Sequence, residues 1–149
     1  MTIQRECEAK MPVSYRIDQD NGMIRTRCVG NVTFEEVVDH FRDLEQDPNC
    51  PDRLDVLLDL TQTTSVPSTE QLRAVSRVIG GIQATVRFDS CAIAASTDVL
   101  FGMSRVFEVV ARERFGATYV FRTVAEAEAW LLSRRQRAVK YGNSSENSP

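Results

Sequence analysis

The chain carries one local pattern twice: a short apolar run, a Ser/Thr-rich turn and then an amphipathic helix. The first copy covers residues 54–75 and the second covers residues 91–110. Short, nearly continuous apolar runs are typical of parallel strands that are buried on both faces. Open α/β sheets bind ligands beyond the carboxyl ends of such strands. The loops after Leu60 and Ala95 are therefore predicted to hold the binding site.

Two half-polar strands are predicted ahead of the first copy. Residues 13–18 and 23–30 flank Asn21 and Gly22, a pair that accepts the positive φ angles of a tight hairpin turn. In the second of these strands, small or apolar side chains alternate with arginines. One face of that strand is therefore expected to meet solvent.

Four amphipathic helices complete the pattern. The first opens on a capping box of Thr33 and Glu36, the second on a capping box of Ser68 and Gln71, and the last covers residues 125–132. With a short strand before the last helix, the order of elements is ββαβαβαβα. This order predicts an α/β fold with one mixed, mostly parallel sheet and helices mainly on one face.

Length and composition indicate one domain. The chain has 149 residues, of which 42% are hydrophobic and 26% charged, as in ordinary globular proteins. A single α/β domain is predicted over residues 13–132, after a flexible arm at 1–12 and before a basic, then polar, disordered tail at 133–149. The opening residues are too charged for a secretory signal, and no apolar stretch is long enough for a transmembrane segment. We therefore expect a cytoplasmic protein.

Charge and motifs argue against several classes of function. Residues 1–132 hold 14 Lys and Arg against 20 Asp and Glu, an acidic balance that disfavours nucleic acid as a partner. The four cysteines are widely spaced and contain no CxxC pair, so neither a metal site nor a dithiol redox centre is predicted. Neither GxGxxG nor a P-loop motif occurs. We expect no metal and no cofactor.

The residues that catalysis would need are not clustered in the sequence. His40 is the only histidine, and its position beside the apolar stripe of the first helix favours a boundary or surface residue. Asp59 ends an apolar strand beside Thr61, Thr63 and Thr64. We interpret it as an acceptor of hydrogen bonds from the turn rather than as a catalytic acid. The sequence therefore predicts that the protein is not an enzyme.

Hydroxyl groups open the second and third helices. Ser68 is expected to cap the second helix, and the alternative role for Ser68 or the adjacent Thr69 is phosphorylation, because a dianion is stabilised at a helix N-terminus. Ser96, Thr97 and Asp98 form a similar start to the third helix.

Apolar residues surround the first turn of the third helix. Phe101 faces away from the stripe that contains Met103, so something besides the main core must cover it. A neighbouring part of the chain, a ligand cavity and a second subunit in a homodimer are the alternatives. Packing within the chain is preferred, and a dimer contact comes second.

Four stretches resemble the SpoIIAA-like, or STAS-like, bacterial domain family, in the branch that also resembles CRAL-TRIO lipid-transfer domains. They are VLLDLTQTT, VPSTEQLR, AIAASTDVLFGMSRVFE and VFRTVAEAEAWL. The similarity extends from about Tyr15 to Leu132. It implies a right-handed β-α superhelix with its helices gathered largely on one side. It also implies a regulatory module without enzyme activity that binds a protein partner.

The resemblance implies a phosphorylation switch as well. In the family, a partner kinase modifies a serine that opens the second helix, within an Asp-Ser-Ser-Gly-type motif. Ser68 matches that serine, whereas Pro67 replaces the acidic residue and Glu70 replaces the glycine.

Two functions remain open. One is a partner-switching interaction module that uses the loop after Leu60 and the start of the third helix. The other is a carrier or sensor of a small apolar ligand or lipid, held between the second helix, the third helix and the sheet. A cavity of several hundred cubic ångströms would favour the carrier, and a solid core with a flat apolar patch would favour the module. The residues assigned to the surface or pocket are Asp59, Thr61, Thr63, Thr64, Leu72, Ser96, Thr97, Asp98, Phe101, Met103 and Arg105.

Overall fold

Strands and helices alternate through the computed structural model, which describes residues 12–146. The elements are β1 (Val13–Asp18), β2 (Met23–Gly30), α1 (Phe34–Gln46), β3 (Arg53–Thr63), α2 (Thr69–Gly81), β4 (Arg87–Ala94), α3 (Asp98–Val110), β5 (Ala117–Phe121) and α4 (Val124–Glu146). The five strands lie side by side in chain order. β1 pairs with β2 in antiparallel orientation, and every later pair is parallel. The predicted element order and the mixed, mostly parallel sheet are confirmed.

Local sequence signals produce the hairpin and two of the helix starts. Gly22 adopts a φ of 58° in the turn between β1 and β2, a value that residues with a Cβ rarely adopt. The capping boxes of Thr33 with Glu36 and of Ser68 with Gln71 are both present, each with reciprocal hydrogen bonds. Each box satisfies amide groups that would otherwise lack a partner in the first helical turn.

Side chains alternate across the strands, so the helices cover two different faces of the sheet. On one face, Ile24 and Ile93 belong to a large core that includes residues of α1, α2 and α3. On the other face, Met23 and Ala92 pack in a smaller cluster with Leu131 of α4. Three helices on one face and one on the other agree with the predicted arrangement.

Two elements extend further than the sequence pattern predicts. β3 continues through the expected turn because Gln62 and Thr63 still pair with β2, and β-branched threonines suit a strand. α4 continues to Glu146 instead of ending at Leu132, since the segment after Leu132 begins with good helix formers. Residues 133–146, predicted as a disordered tail, therefore belong to α4. Residues 1–11 of the predicted arm and residues 147–149 lie outside the described part of the chain.

An ionic contact anchors α4 to the sheet. The Arg25 guanidinium donates two hydrogen bonds to the Glu128 carboxylate, at 3.1 and 3.0 Å, and lies 3.5 Å from Asp18. These hydrogen bonds from Arg25 lower the pKa of Glu128. Arg25 was expected to face solvent, but α4 half-buries it, because this helix crosses the face that carries the arginines.

Candidate functional site

An apolar cavity of about 450 Å³ lies between the sheet and helices α1, α2 and α3. Its volume falls within the range of small-molecule sites, roughly 300–1,000 Å³. The walls combine side chains from four strands and three helices, such as Val13, Ile24, Val56, Ile93, Val37, Leu72 and Phe107. The space therefore belongs to the main core of the molecule.

Short side chains on the sheet make room for the cavity. Thr26, Cys28 and Cys91 lie on the floor, opposite helices that contribute larger side chains such as Phe41 and Phe107. Burial raises the pKa of both thiols to about 12, so they are protonated near neutral pH. The cysteines act here as small uncharged wall residues.

The cavity opens at the carboxyl edge of the sheet. Asn31, Thr33, Val66 and Gln71 line the cavity and are also exposed to solvent. Val66 keeps 50% of its surface exposed, although it is apolar. This mouth lies between the loop after β2 and the loop after β3. The second of these is one of the two loops that the sequence pattern indicated.

Hydrogen bonds join the two loops beside the mouth. The Val32 amide donates to Ser65 Oγ at 2.9 Å, and the Ser65 hydroxyl lies 3.3 Å from the Val32 carbonyl oxygen. The Thr64 amide donates to the carbonyl of Gly30 at 2.9 Å. Gly30 has a φ of 70°, which turns the chain out of β2. We refer to these contacts of Ser65 and Thr64 as the mouth clasp.

His40 lies in the cavity wall and is only 9% exposed. Its ring contacts the aromatic rings of Tyr15 and Phe41 at centroid distances of 5.2 and 5.1 Å. Its Nε2 is 3.5 Å from Thr26 Oγ1, whereas Nδ1 has no hydrogen-bond partner among the described residues. Burial lowers the pKa of His40 to about 4, so the imidazole is neutral near pH 7.

The sequence interpretation of His40 as a boundary or surface residue was wrong. His40 follows Val37 by three positions and precedes Leu44 by four, so all three share one helix face. That spacing was the available signal. It was outweighed by the polarity of the side chain, which aromatic neighbours accommodate here.

The cavity wall carries no formal charge in the part of the chain that the structure describes. None of the residues in that wall is Asp, Glu, Lys or Arg. Besides Thr26 and His40, the buried hydroxyl of Ser104 on α3 contributes polarity. The arrangement suits an uncharged, mostly apolar molecule.

Only part of the predicted site lines this cavity. Leu72 and Met103 are wall residues. The remaining predicted residues lie outside the wall: Asp59, Thr61, Thr63, Thr64, Ser96, Thr97, Asp98, Phe101 and Arg105. Sequence reasoning placed the pocket between the second helix, the third helix and the sheet, so it missed the wall residues of α1 and named none from β2.

The polar residues near the end of β3 satisfy local hydrogen bonds. Asp59 accepts from the amide and the hydroxyl of Thr61, at 2.9 and 2.6 Å. The Thr63 hydroxyl donates to the carbonyl of Cys28 at 3.1 Å. The Thr63 contact joins the ends of β2 and β3, whereas Asp59 accepts both of its hydrogen bonds from its own strand.

Residues at the start of α3 meet Arg122, which follows β5. Its guanidinium lies 4.1 Å from the centre of the Phe101 ring and donates to Asp98 at 2.9 Å. Thr97 caps α3 by accepting from the Leu100 amide. The chain itself therefore provides a cover for Phe101, through a cation–π contact.

Two further predicted residues have local roles. The Ser68 hydroxyl accepts from the Gln71 amide at 3.2 Å, and the Ser68 amide donates to Gln71 Oε1 at 2.8 Å. Both Ser68 and the adjacent Thr69 are exposed. Arg105 is also exposed and pairs with Glu108 at 3.1 Å along α3.

Two features are absent from the described part of the chain. Among the side chains that the structure describes, in residues 12–136, no group of three or more His, Cys, Asp or Glu is placed to hold a metal ion. Within residues 12–146, no helix combines the length and apolar character that crossing a membrane requires.

The comparisons with known proteins concern the fold. Neither a protein-family model nor a curated protein matches the sequence. Among solved structures, the chain is similar to an uncharacterized protein of the DUF3478 family with a SpoIIAA-like fold, from Shewanella loihica PV-4. The two share 19% sequence identity with a TM-score of 0.52, over 80% of this chain and 91% of that chain. The strand and helix order described above agrees with that likeness, and the protein has a SpoIIAA-like fold.

Proposed function

We propose that this protein binds a small apolar molecule in its core cavity, as a carrier or a sensor, and does not transform it. The observation that carries the proposal is the cavity of about 450 Å³, with its apolar walls and its mouth at the carboxyl edge of the sheet. Protein interiors are normally close-packed, with few voids larger than a water molecule. A space of this size in the main core is therefore best explained by a ligand.

The energetics of the cavity support the same proposal. If nothing filled this space, the side chains around it would lose packing contacts, and lost packing destabilises a core. Water gains little in apolar surroundings because it finds few hydrogen-bond partners there. An apolar ligand would remove much of this penalty.

The surroundings of His40 favour binding over catalysis. General base and nucleophilic mechanisms need a nucleophile beside the histidine and a group that orients the ring. Here the ring meets Thr26 at a long 3.5 Å, and aromatic side chains lie around it. A neutral, apolar environment of this kind supports a role in holding a molecule.

Titration with an apolar fluorophore such as naphthalene tests the proposal. Val75 lines the cavity, so Val75→Phe should fill part of it and weaken binding at least about tenfold, as expected when a ligand loses its space. Val109 is 64% exposed on α3 and lies outside the wall, so Val109→Phe is the matched control and should bind like the wild type. Equal binding by the wild type and Val75→Phe, or none by either, would contradict the proposal.

As a second function, we propose a partner-switching role for the surface around Ser68. The specific observation is that Ser68 is exposed and directly follows Val66 and Pro67, which line the cavity mouth. A phosphate on Ser68 would disturb the capping box and place a dianion beside that mouth. Binding of a protein partner would then depend on modification and on ligand together.

This second function requires a partner from the host. Native mass spectrometry of protein purified from the host should reveal such a partner, a dimer or a bound small molecule. For any partner found, Ser68→Glu should weaken the complex, whereas Ser68→Ala should not. Equal recovery of the partner with both variants would show that the hydroxyl is not a switch.

A further inference from the structure

His40 and Thr26 form a polar pair in the mostly apolar wall of the cavity. His40 Nδ1 is buried without a hydrogen-bond partner among the described residues, while the other ring nitrogen lies 3.5 Å from Thr26 Oγ1. A buried polar atom left without a partner costs roughly 1–3 kcal/mol. His40 lines the cavity, but Nδ1 itself is closed to a water-sized molecule, so a ligand can offer it the missing partner once the imidazole ring rotates toward the space.

We propose that the ligand is an uncharged molecule with an apolar body and one hydroxyl or carbonyl group, which is hydrogen-bonded to His40. This inference rests on the proposed function and narrows it to a chemical class. A neutral imidazole has one donor and one acceptor nitrogen. It can therefore serve a hydroxyl in either direction, or donate to a carbonyl from Nδ1.

The wall opposes a charged ligand. Among the side chains described in residues 12–136, the cavity offers neither an Arg or Lys to a carboxylate nor an Asp or Glu to an ammonium group. Burying an ion without a partner of opposite charge is far more costly than burying a hydroxyl that is hydrogen-bonded. The lowered pKa of His40, about 4, agrees, because the ring gives no positive charge near neutral pH.

Three matched probes distinguish this inference from the proposed binding of an apolar molecule in general. They are naphthalene, naphthol and naphthoate. They share one apolar body. Naphthalene carries no polar group, naphthol carries a hydroxyl and naphthoate carries a carboxylate. Naphthol should bind the wild type several-fold to about tenfold more tightly than naphthalene, the gain that one hydrogen bond to a buried group gives. Naphthoate should bind more weakly than either.

The single histidine provides a direct signal in the unmodified protein. Because His40 is the only histidine of the chain, its imidazole nitrogen resonances are unambiguous in a sample labelled at histidine. Naphthol should shift the Nδ1 resonance, and naphthalene should leave it nearly unchanged. This measurement needs no substitution and so does not depend on the folding of a variant.

A variant and its control complete the test. His40→Phe keeps an aromatic ring but removes both nitrogens, and it should lower the affinity ratio of naphthol to naphthalene by about tenfold. Ser96→Ala removes a hydroxyl that lies outside the wall and should leave the ratio unchanged. If naphthol and naphthalene bind equally without a shift of Nδ1, or if naphthoate binds best, the inference fails while apolar binding stands. If no probe binds, the proposed function fails as well.

Discussion

The two faces of the sheet are packed in different ways. On the α4 face, alanines at Ala92, Ala94 and Ala127 are fully buried, so the helix lies close to the strands, and Arg25 is ion-paired with Glu128. On the face covered by α1, α2 and α3, uncharged side chains surround about 450 Å³ of space. The same strands supply both faces. The contrast indicates that the α4 face stabilises the sheet, while the other face has room for the ligand that we propose.

The largest expected effect is a loss of folding stability at mildly acidic pH, which arises from His40 on the cavity face. The pKa of His40 falls from 6.5 to about 4 on folding, so the unfolded chain binds a proton in that window while the folded chain does not. Stability from this residue is complete above pH 6.5 and falls by about 3 kcal/mol as the pH drops to about 4. Denaturant titrations of wild type and His40→Phe across this window should diverge accordingly.

The stability that the α4 face contributes should be lost at a lower pH. Pairing with Arg25 lowers the pKa of Glu128 below 4.5, so its contribution is present above that value and is lost as the pH falls further. His40→Phe should keep this second loss while the first disappears. If the His40→Phe variant loses stability between pH 6.5 and pH 4 as the wild type does, His40 is not the group that titrates.

Enlarging a side chain should also distinguish the faces. Ala94 is fully buried against α4, so Ala94→Leu should destabilise the protein by about 2 kcal/mol through overpacking. Val56 lies on the neighbouring strand and lines the cavity, so Val56→Leu should cost less than about 1 kcal/mol or stabilise the protein. Urea unfolding of both variants makes the comparison. Equal losses would mean that the cavity face is as tightly packed as the α4 face.

Removing the ion pair should have a smaller effect. Glu128→Gln leaves the half-buried Arg25 with only the Asp18 carboxylate and should cost about 1 kcal/mol, because partial exposure screens the pair. Glu113→Gln changes an exposed carboxylate and should be nearly neutral. The difference in urea midpoints measures the effect. Equal midpoints for the two variants would show that α4 is held by apolar packing alone.

The sequence predicted the fold more fully than the site. Capping residues and apolar spacing are local signals, so the order of elements and the starts of α1 and α2 followed from them. The cavity depends on how three helix stripes meet one sheet, which no local pattern describes. His40 illustrates this: its spacing placed it on the buried face, but its polarity favoured a surface position. Only the packing of Tyr15 and Phe41 around the ring decides between the two.

The smallest expected effect concerns the mouth of the cavity face. Within the mouth clasp, Ser65 joins the two loops through its contacts with Val32. Ser65→Ala therefore removes these side-chain contacts but leaves the cavity wall otherwise intact. Losing such hydrogen bonds costs roughly 0.5–1.5 kcal/mol. We therefore expect naphthol to associate and dissociate about threefold to tenfold faster, with little change in affinity.

The control for the clasp is a serine outside the mouth. Ser96 donates a comparable hydrogen bond to the carbonyl of Thr61 at 3.4 Å, but it does not line the cavity. Stopped-flow fluorescence of Ser96→Ala should give wild-type rates. If both variants match the wild type, ligand exchange does not depend on the clasp. Naphthol must then enter by another opening on the face that α1, α2 and α3 cover. If both accelerate exchange equally, the loops at this edge of the sheet move as one unit, and Ser65 has no special part in it.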